Sequence, residues 1–388
     1  MTHSCRNNDG PAPHMESAAT VRGRGRRPVH ASFACVLLLG ASALGGCGGG
    51  GAPKVDPQPS PSLSAHRLEQ VPFGALGAGK VVFLRADYST TGGRDGVYLI
   101  DADRATATFE FAGGSTWFPN APTVSPDGSS VAYTRYTDTT TMYDVYAANL
   151  NGSGEHRISA FPVQEGPPSW TPDGRELVFY AAGSDWLYNL YRQSAASSAA
   201  TSLEQLTHYS SSCASQCPGA LTTLTDRVAV SPSGQFAWVS DSTIELTAPD
   251  GSTTTAIYTL PAAAPGTSAA VHAPVWSPDG QHLGFLTLVI GNQNGMPGER
   301  QAIIVTVIDA DGGNETIIAT AAASGAVEIG GYADAYSLCW TPDGARFVFN
   351  VPDGDPQSHL WVVNVDGSAL TQVTSAPGVW DMSVSCAR

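Results

Sequence analysis

One five-residue motif recurs five times in phase along this chain, and it limits the possible folds more than any other feature. It reads Val124-Ser-Pro-Asp-Gly128, Trp170-Thr-Pro-Asp-Gly174, Val230-Ser-Pro-Ser-Gly234, Trp276-Ser-Pro-Asp-Gly280 and Trp340-Thr-Pro-Asp-Gly344. The motif prolines 126, 172, 232, 278 and 342 are 46, 60, 46 and 64 residues apart. The shorter spacing matches one four-stranded propeller blade, and the longer ones a blade with an insertion. The chemistry is that of a tight turn. Proline pre-sets φ, aspartate bonds nearby backbone, and glycine supplies the positive φ that returns the chain to the next strand. Asp127, Asp173, Asp279 and Asp343 are therefore read as turn formers, not as metal ligands or catalysts.

An apolar strand follows each turn, as at Val131–Tyr133, Glu176–Phe179, Phe236–Trp238, His282–Phe285 and Arg346–Phe349. A second apolar strand then runs to an Asx-Gly turn at Asn151-Gly152, Asp311-Gly312 or Asp366-Gly367, which is a strong hairpin signal. A short fourth strand closes the unit, as at Leu206-Thr207 and Val373-Thr374. The two ends of this repeat region complement each other. Lys80–Leu84 and Gly96–Asp101 are later strands of a blade with no motif strand before them, and Trp380–Ser385 is a first strand with no blade after it. Pairing them would remove both exposed edges. The expected fold is all-β: a six-bladed β-propeller of four-stranded antiparallel blades over residues 78–388, closed by the C-terminal strand pairing with the first blade.

The Trp-Ser/Thr-Pro-Asp-Gly repeat and its following strand resemble the TolB-like propeller family over residues 78–386. The resemblance implies the fold. It leaves the function open, because such blades serve many roles. TolB itself carries an α/β domain before its propeller and binds a peptidoglycan-associated lipoprotein. Here only about thirty tether-like residues precede the blades, so that role is not carried over.

The amino terminus reads as an address. Arg22, Arg24, Arg26 and Arg27 form a basic segment, and Ala31–Leu44 is apolar but shorter than the roughly 20 residues a membrane-spanning helix needs. Leu44-Gly45-Gly46-Cys47 resembles a bacterial lipobox, with Cys47 as the lipidated residue. Residues 1–46 are then a signal peptide, starting from Met1 or Met15, and residues 47–77 a Gly/Pro/Ser tether. Gly48 lacks the Asp that retains some lipoproteins at the inner membrane, which favours the outer membrane with the propeller facing periplasm or surface. The formal charge of −15 argues against nucleic acid as partner.

Ligand sites on propellers tend to lie at a mouth of the central channel. Six positions ahead of each motif proline stand Asn120, Gly166, Asp226, His272 and Tyr336. Taking Cys386 as the closing strand's equivalent of that proline adds Trp380. A scaffold needs no polar or aromatic ring at this depth, whereas a binding site does. The insertions Gln193–Thr225, Ile290–Arg300 and Ala321–Ala335 are expected as long recognition loops. Cys213 and Cys217, in the first of them, are expected to form a local disulfide. In the same register Cys339 and Cys386 are offset by three residues, about 10 Å along a strand, so both are expected as free buried thiols.

The histidines are scattered. The manganese-holding His/Gln set of the oligogalacturonate lyases, propellers of the same family, cannot be matched here residue by residue, so no metal or cofactor is expected. No G-x-S-x-G motif is present to suggest a propeller-gated peptidase. The functional expectation is a monomeric, lipid-anchored envelope binding or scaffold protein with a protein or glycan partner. The alternative is a metal-dependent lyase or hydrolase at the channel mouth, acting on an envelope or extracellular polysaccharide through His272 and Asp226.

Overall fold

The motif turns form as their chemistry requires. In the first, Ser125 Oγ donates to Asp127 Oδ1 at 2.6 Å, Ser129 N donates to the same oxygen at 3.0 Å, and Gly128 N closes on Ser125 O at 2.8 Å. The Thr171–Asp173, Ser277–Asp279 and Thr341–Asp343 turns repeat this pattern, with hydroxyl-to-carboxylate bonds of 2.6–2.7 Å. The motif glycines all have positive φ, between 69° and 85°. The four aspartates thus sit in turn geometry.

A computed structural model describes the chain from residue 68 to 388, except residues 69, 88–93, 113–118, 137–142, 160–164, 183–187, 197–202, 210–225, 241, 264–266, 294–295, 324–335 and 355–356. Cys47, Cys213 and Cys217 lie outside the described residues. A short helix α1 (Phe73–Leu76) precedes the strands. Among the described residues no helix is long and apolar enough to cross a membrane.

The strands fall into consecutive four-stranded antiparallel units. After β1 (Lys80–Asp87), β2 (Gly96–Asp101) and β3 (Thr106–Phe111), the first full unit is β4 (Asn120–Val124), β5 (Ser130–Tyr136), β6 (Tyr143–Asn149) and β7 (His156–Arg157). The next comprises β8 (Ser169–Trp170), β9 (Glu176–Ala182), β10 (Tyr188–Ser194) and β11 (Glu204–Gln205). Then come β12 (Ala229–Val230), β13 (Phe236–Ser240), β14 (Thr243–Thr247) and β15 (Thr254–Thr259). They are followed by β16 (Thr267–Trp276), β17 (His282–Gln293), β18 (Met296–Asp309) and β19 (Thr316–Ala323). The last strands are β20 (Leu338–Trp340), β21 (Arg346–Gly354), β22 (Gln357–Asn364), β23 (Thr371–Gln372) and β24 (Val379–Ala387). The final strand β24 pairs antiparallel with β1. One parallel pairing, Ser358 with Trp380, joins β20–β23 to β24–β1–β2–β3 as an eight-stranded sheet.

Apolar faces of neighbouring sheets meet and make the core. Ala132 and Val145 pack with Leu177 and Phe179; Val178 and Tyr180 with Phe236 and Trp238; Leu286 and Ile303 with Phe347 and Phe349. Each of these side chains is at least nine-tenths buried. Burying such aromatic and branched residues is worth roughly 1.5–3 kcal/mol each.

Ile290–Arg300 differs from its sequence expectation. Residues on both arms of this insertion pair, through Ile290–Gln301, Gly291–Arg300 and Gln293–Met296. The insertion therefore lengthens the β17–β18 hairpin instead of forming an irregular loop. The expected loops at Gln193–Thr225 and Ala321–Ala335 fall largely outside the described residues.

Candidate functional site

Asn120, His272 and Trp380 lie within β4, β16 and β24, and Gly166, Asp226 and Tyr336 two or three residues before β8, β12 and β20; strand pairing fixes their register. Val124 pairs with Val131, Trp170 with Leu177, Trp276 with Leu283 and Trp340 with Phe347. In each case the second residue of the next strand faces the residue two places before the motif proline. Cys386 pairs with Val81, the second residue of β1, so it occupies that same place. The backbone agrees. Ala121 and Ala273, five before their prolines, have φ of 50°, and Ser383 has φ of 55° where Arg388 takes the proline position.

This register corrects two expectations. The residue equivalent to His272 in β24 is Met382, and Trp380 lies two residues earlier, opposite Ala86. Cys339 and Cys386 are one residue out of step instead of three. Their Cα atoms stand 5.6 Å apart and they form a disulfide, not free thiols. Strand β24 has no turn motif to anchor its register in the sequence, so Cys386 stands in for the proline there.

At the shared depth, the structure gathers three of the candidates. His272 Nδ1 lies 3.0 and 3.2 Å from the two carboxylate oxygens of Asp226. As the acceptor, Asp226 holds the ring with Nδ1–H toward it, which leaves Nε2 as the basic nitrogen. Asp226 Oδ1 also accepts from Ala273 N at 3.1 Å, and the positive φ at Ala273 is what brings that N–H round. The Tyr336 ring lies 5.3 Å from the His272 ring, and burial pushes its phenol up to about 12. The cluster thus presents an imidazole with a fixed tautomer beside a neutral phenol, a set able to donate and accept hydrogen bonds and to stack on an apolar face. Asn120, on β4, and Gly166, in the segment before β8, are buried and show no bond to this cluster. Among the described residues, no group of three or more His, Cys, Asp or Glu converges to hold a metal ion.

Sequence reasoning missed what lies at the other end of the same strands. A cavity of about 300 Å³ is lined there by residues of β4, β8, β12, β16, β20 and β24, together with the five motif prolines. Between cavity and cluster runs Arg227, the neighbour of Asp226. Its guanidinium donates to Pro122 O at 3.0 Å, Val384 O at 3.3 Å and Ala121 O at 3.4 Å, reaching first strands on either side of the β24–β4 junction. The register that selected Asp226 also selects Arg227, one residue later, and was the signal available for it.

No known family's sequence profile and no curated protein matches the chain. Solved structures do. TolB of Acinetobacter baumannii superposes with a TM-score of 0.57 at 18% identity, covering 80% of this chain and 66% of that one. A nidogen/laminin complex gives 0.52 at 11% identity, covering 80% and 99%. Hydrazine synthase of Kuenenia stuttgartiensis gives 0.51 at 12%, covering 82% and 47%. The chain spans just under two thirds of that TolB. At these identities the likeness defines a fold, an all-β propeller of TolB-like type with four-stranded antiparallel blades.

Proposed function

We propose that this chain is a lipid-anchored envelope protein whose propeller has six blades in a closed ring and binds a protein or glycan partner at the Asp226 end of its first strands. The observation that carries the binding reading is the Asp226–His272–Tyr336 cluster. Three successive repeats contribute polar or aromatic groups to one place where a scaffold needs none. Closure is supported by the β24–β1 pairing and by a cavity lined from six first strands. Counting β24–β1–β2–β3 and β20–β23 as separate blades brings the four intact sheets to six blades.

The lipid anchor rests on the Leu44–Cys47 lipobox resemblance. Affinity capture from envelope extracts, using the tethered mature protein and its Asp226→Ala, His272→Ala and Tyr336→Ala variants, tests the binding reading. Loss of one defined partner in all three variants is expected. Identical capture by all four proteins would remove the cluster from the reading.

A further inference from the structure

The cavity at the turn end of the first strands has a composition unlike the rest of the protein. Two residues before each proline or its equivalent stand Val124, Trp170, Val230, Trp276, Trp340 and Cys386, all of which line it. Where the repeat supplies tryptophan, an indole walls the space. Where valine or cysteine stands instead, room is left, and the result is about 300 Å³, enough for a small organic molecule. Charge is distributed with equal asymmetry. The chain carries 34 acidic and 19 basic side chains, yet among the described residues the lining contains no aspartate or glutamate and includes Arg227 and Arg388. Arg227, which leads into β12, is held by three backbone carbonyls of the more distant first strands β4 and β24, so its charge is already in place before any ligand arrives.

We propose that this cavity binds a small organic anion with a flat aromatic body. The indole walls and the turn prolines accept the ring, and the Arg227 guanidinium meets the anionic group with charge-assisted hydrogen bonds. This site extends toward the turn end of the first strands, separated from the Asp226–His272–Tyr336 cluster by Arg227 and Ala273, and does not require that cluster's partner.

Two probes that differ in one group test it on the purified mature chain: 8-anilinonaphthalene-1-sulfonate and its uncharged counterpart N-phenyl-1-naphthylamine. The sulfonate is expected to bind with a stoichiometry of one. Arg227→Gln is expected to weaken it by about tenfold or more, and Arg227→Lys to weaken it less. The uncharged probe should be indifferent to both substitutions. Val230→Trp installs the motif's own residue on the cavity wall and should reduce binding of both probes while the melting temperature holds. Unchanged sulfonate binding in Arg227→Gln and Val230→Trp would overturn the proposal. So would an equal loss of both probes in Arg227→Gln, which would mark Arg227 as a structural brace only.

Discussion

Two kinds of joint connect a first strand to its neighbour in this protein, and they solve the same problem by different means. At β4–β5, β8–β9, β16–β17 and β20–β21 a Pro-Asp-Gly turn links the strands covalently and fixes their register through local hydrogen bonds. At β24–β1 no turn exists, since Arg85 and Asp381 lie 296 residues apart in sequence. Bringing such distant segments together costs about 5 kcal/mol in loop-closure entropy beyond a constant term. The chain meets this with interactions the turns lack. Arg85 Nε and Nη2 grip Asp381 at 2.6 and 2.8 Å, with the carboxylate fully buried. Burial alone would depress the Arg85 guanidinium, but the charge and hydrogen bond of Asp381, together with Tyr98 and Asp87, raise its pKa. On its other sides β24 is held to β4, where Ser385 Oγ accepts from Val124 N at 3.1 Å, and to β20, where Cys386 is cross-linked to Cys339. Where local chemistry can set a register, a few weak bonds suffice; where it cannot, a buried ion pair joins the strands and a covalent bridge pins β24 to β20.

Breaking the long-range joint should therefore cost more than breaking a turn. Asp381→Ala, which strands the Arg85 charge in the core, is expected to destabilise by about 3–5 kcal/mol in urea unfolding. A loss under 1 kcal/mol would show that the pair does not hold the joint. Next comes the disulfide. Its sequence separation of 47 corresponds to about 4 kcal/mol of loop entropy removed from the unfolded chain. The Cys339→Ser/Cys386→Ser double variant should melt lower than wild type. Reductant should lower the melting temperature of wild type toward that of the variant and leave the variant where it is. Insensitivity of wild type to reductant would exclude the bridge as a clamp.

The same contrast explains what the sequence disclosed. The turns were legible because proline, aspartate and glycine act within five residues, and the strands after them because apolar patterning is local. The pairing of Cys339 with Cys386 was not. Strand β24 lacks a motif, so counting back from Cys386 as a proline equivalent misplaces every residue by two; its bulge, with positive φ at Ser383, matches those at Ala121 and Ala273 and marks the true register. That one slip put Trp380 where Met382 belongs and set two bonded cysteines about 10 Å apart. Asp226, His272 and Tyr336 were found because each sits a fixed distance from an unambiguous turn. Arg85 with Asp381 carried no periodic signal at all, being two charged residues in strands from opposite ends of the repeat region.

The smallest expected effect belongs to the turns, and acid separates it from the joint. The Ser125, Thr171 and Ser277 hydroxyls, followed by the backbone N–H groups of residues 129, 175 and 281, hold the carboxyls of Asp127, Asp173 and Asp279 below the usual carboxylate range. A carboxyl whose pKa is lower in the folded than in the unfolded state contributes stability that is fully present above the unfolded value near 4, and loses it as pH falls through the folded value. Asp279→Asn keeps an acceptor oxygen but does not titrate. Its melting temperature should lie about 1–2 °C below wild type at pH 6, and the gap should close as pH drops toward 3. A gap that stays constant across that range would mean that the turn is held by its backbone geometry, with the carboxylate charge contributing nothing.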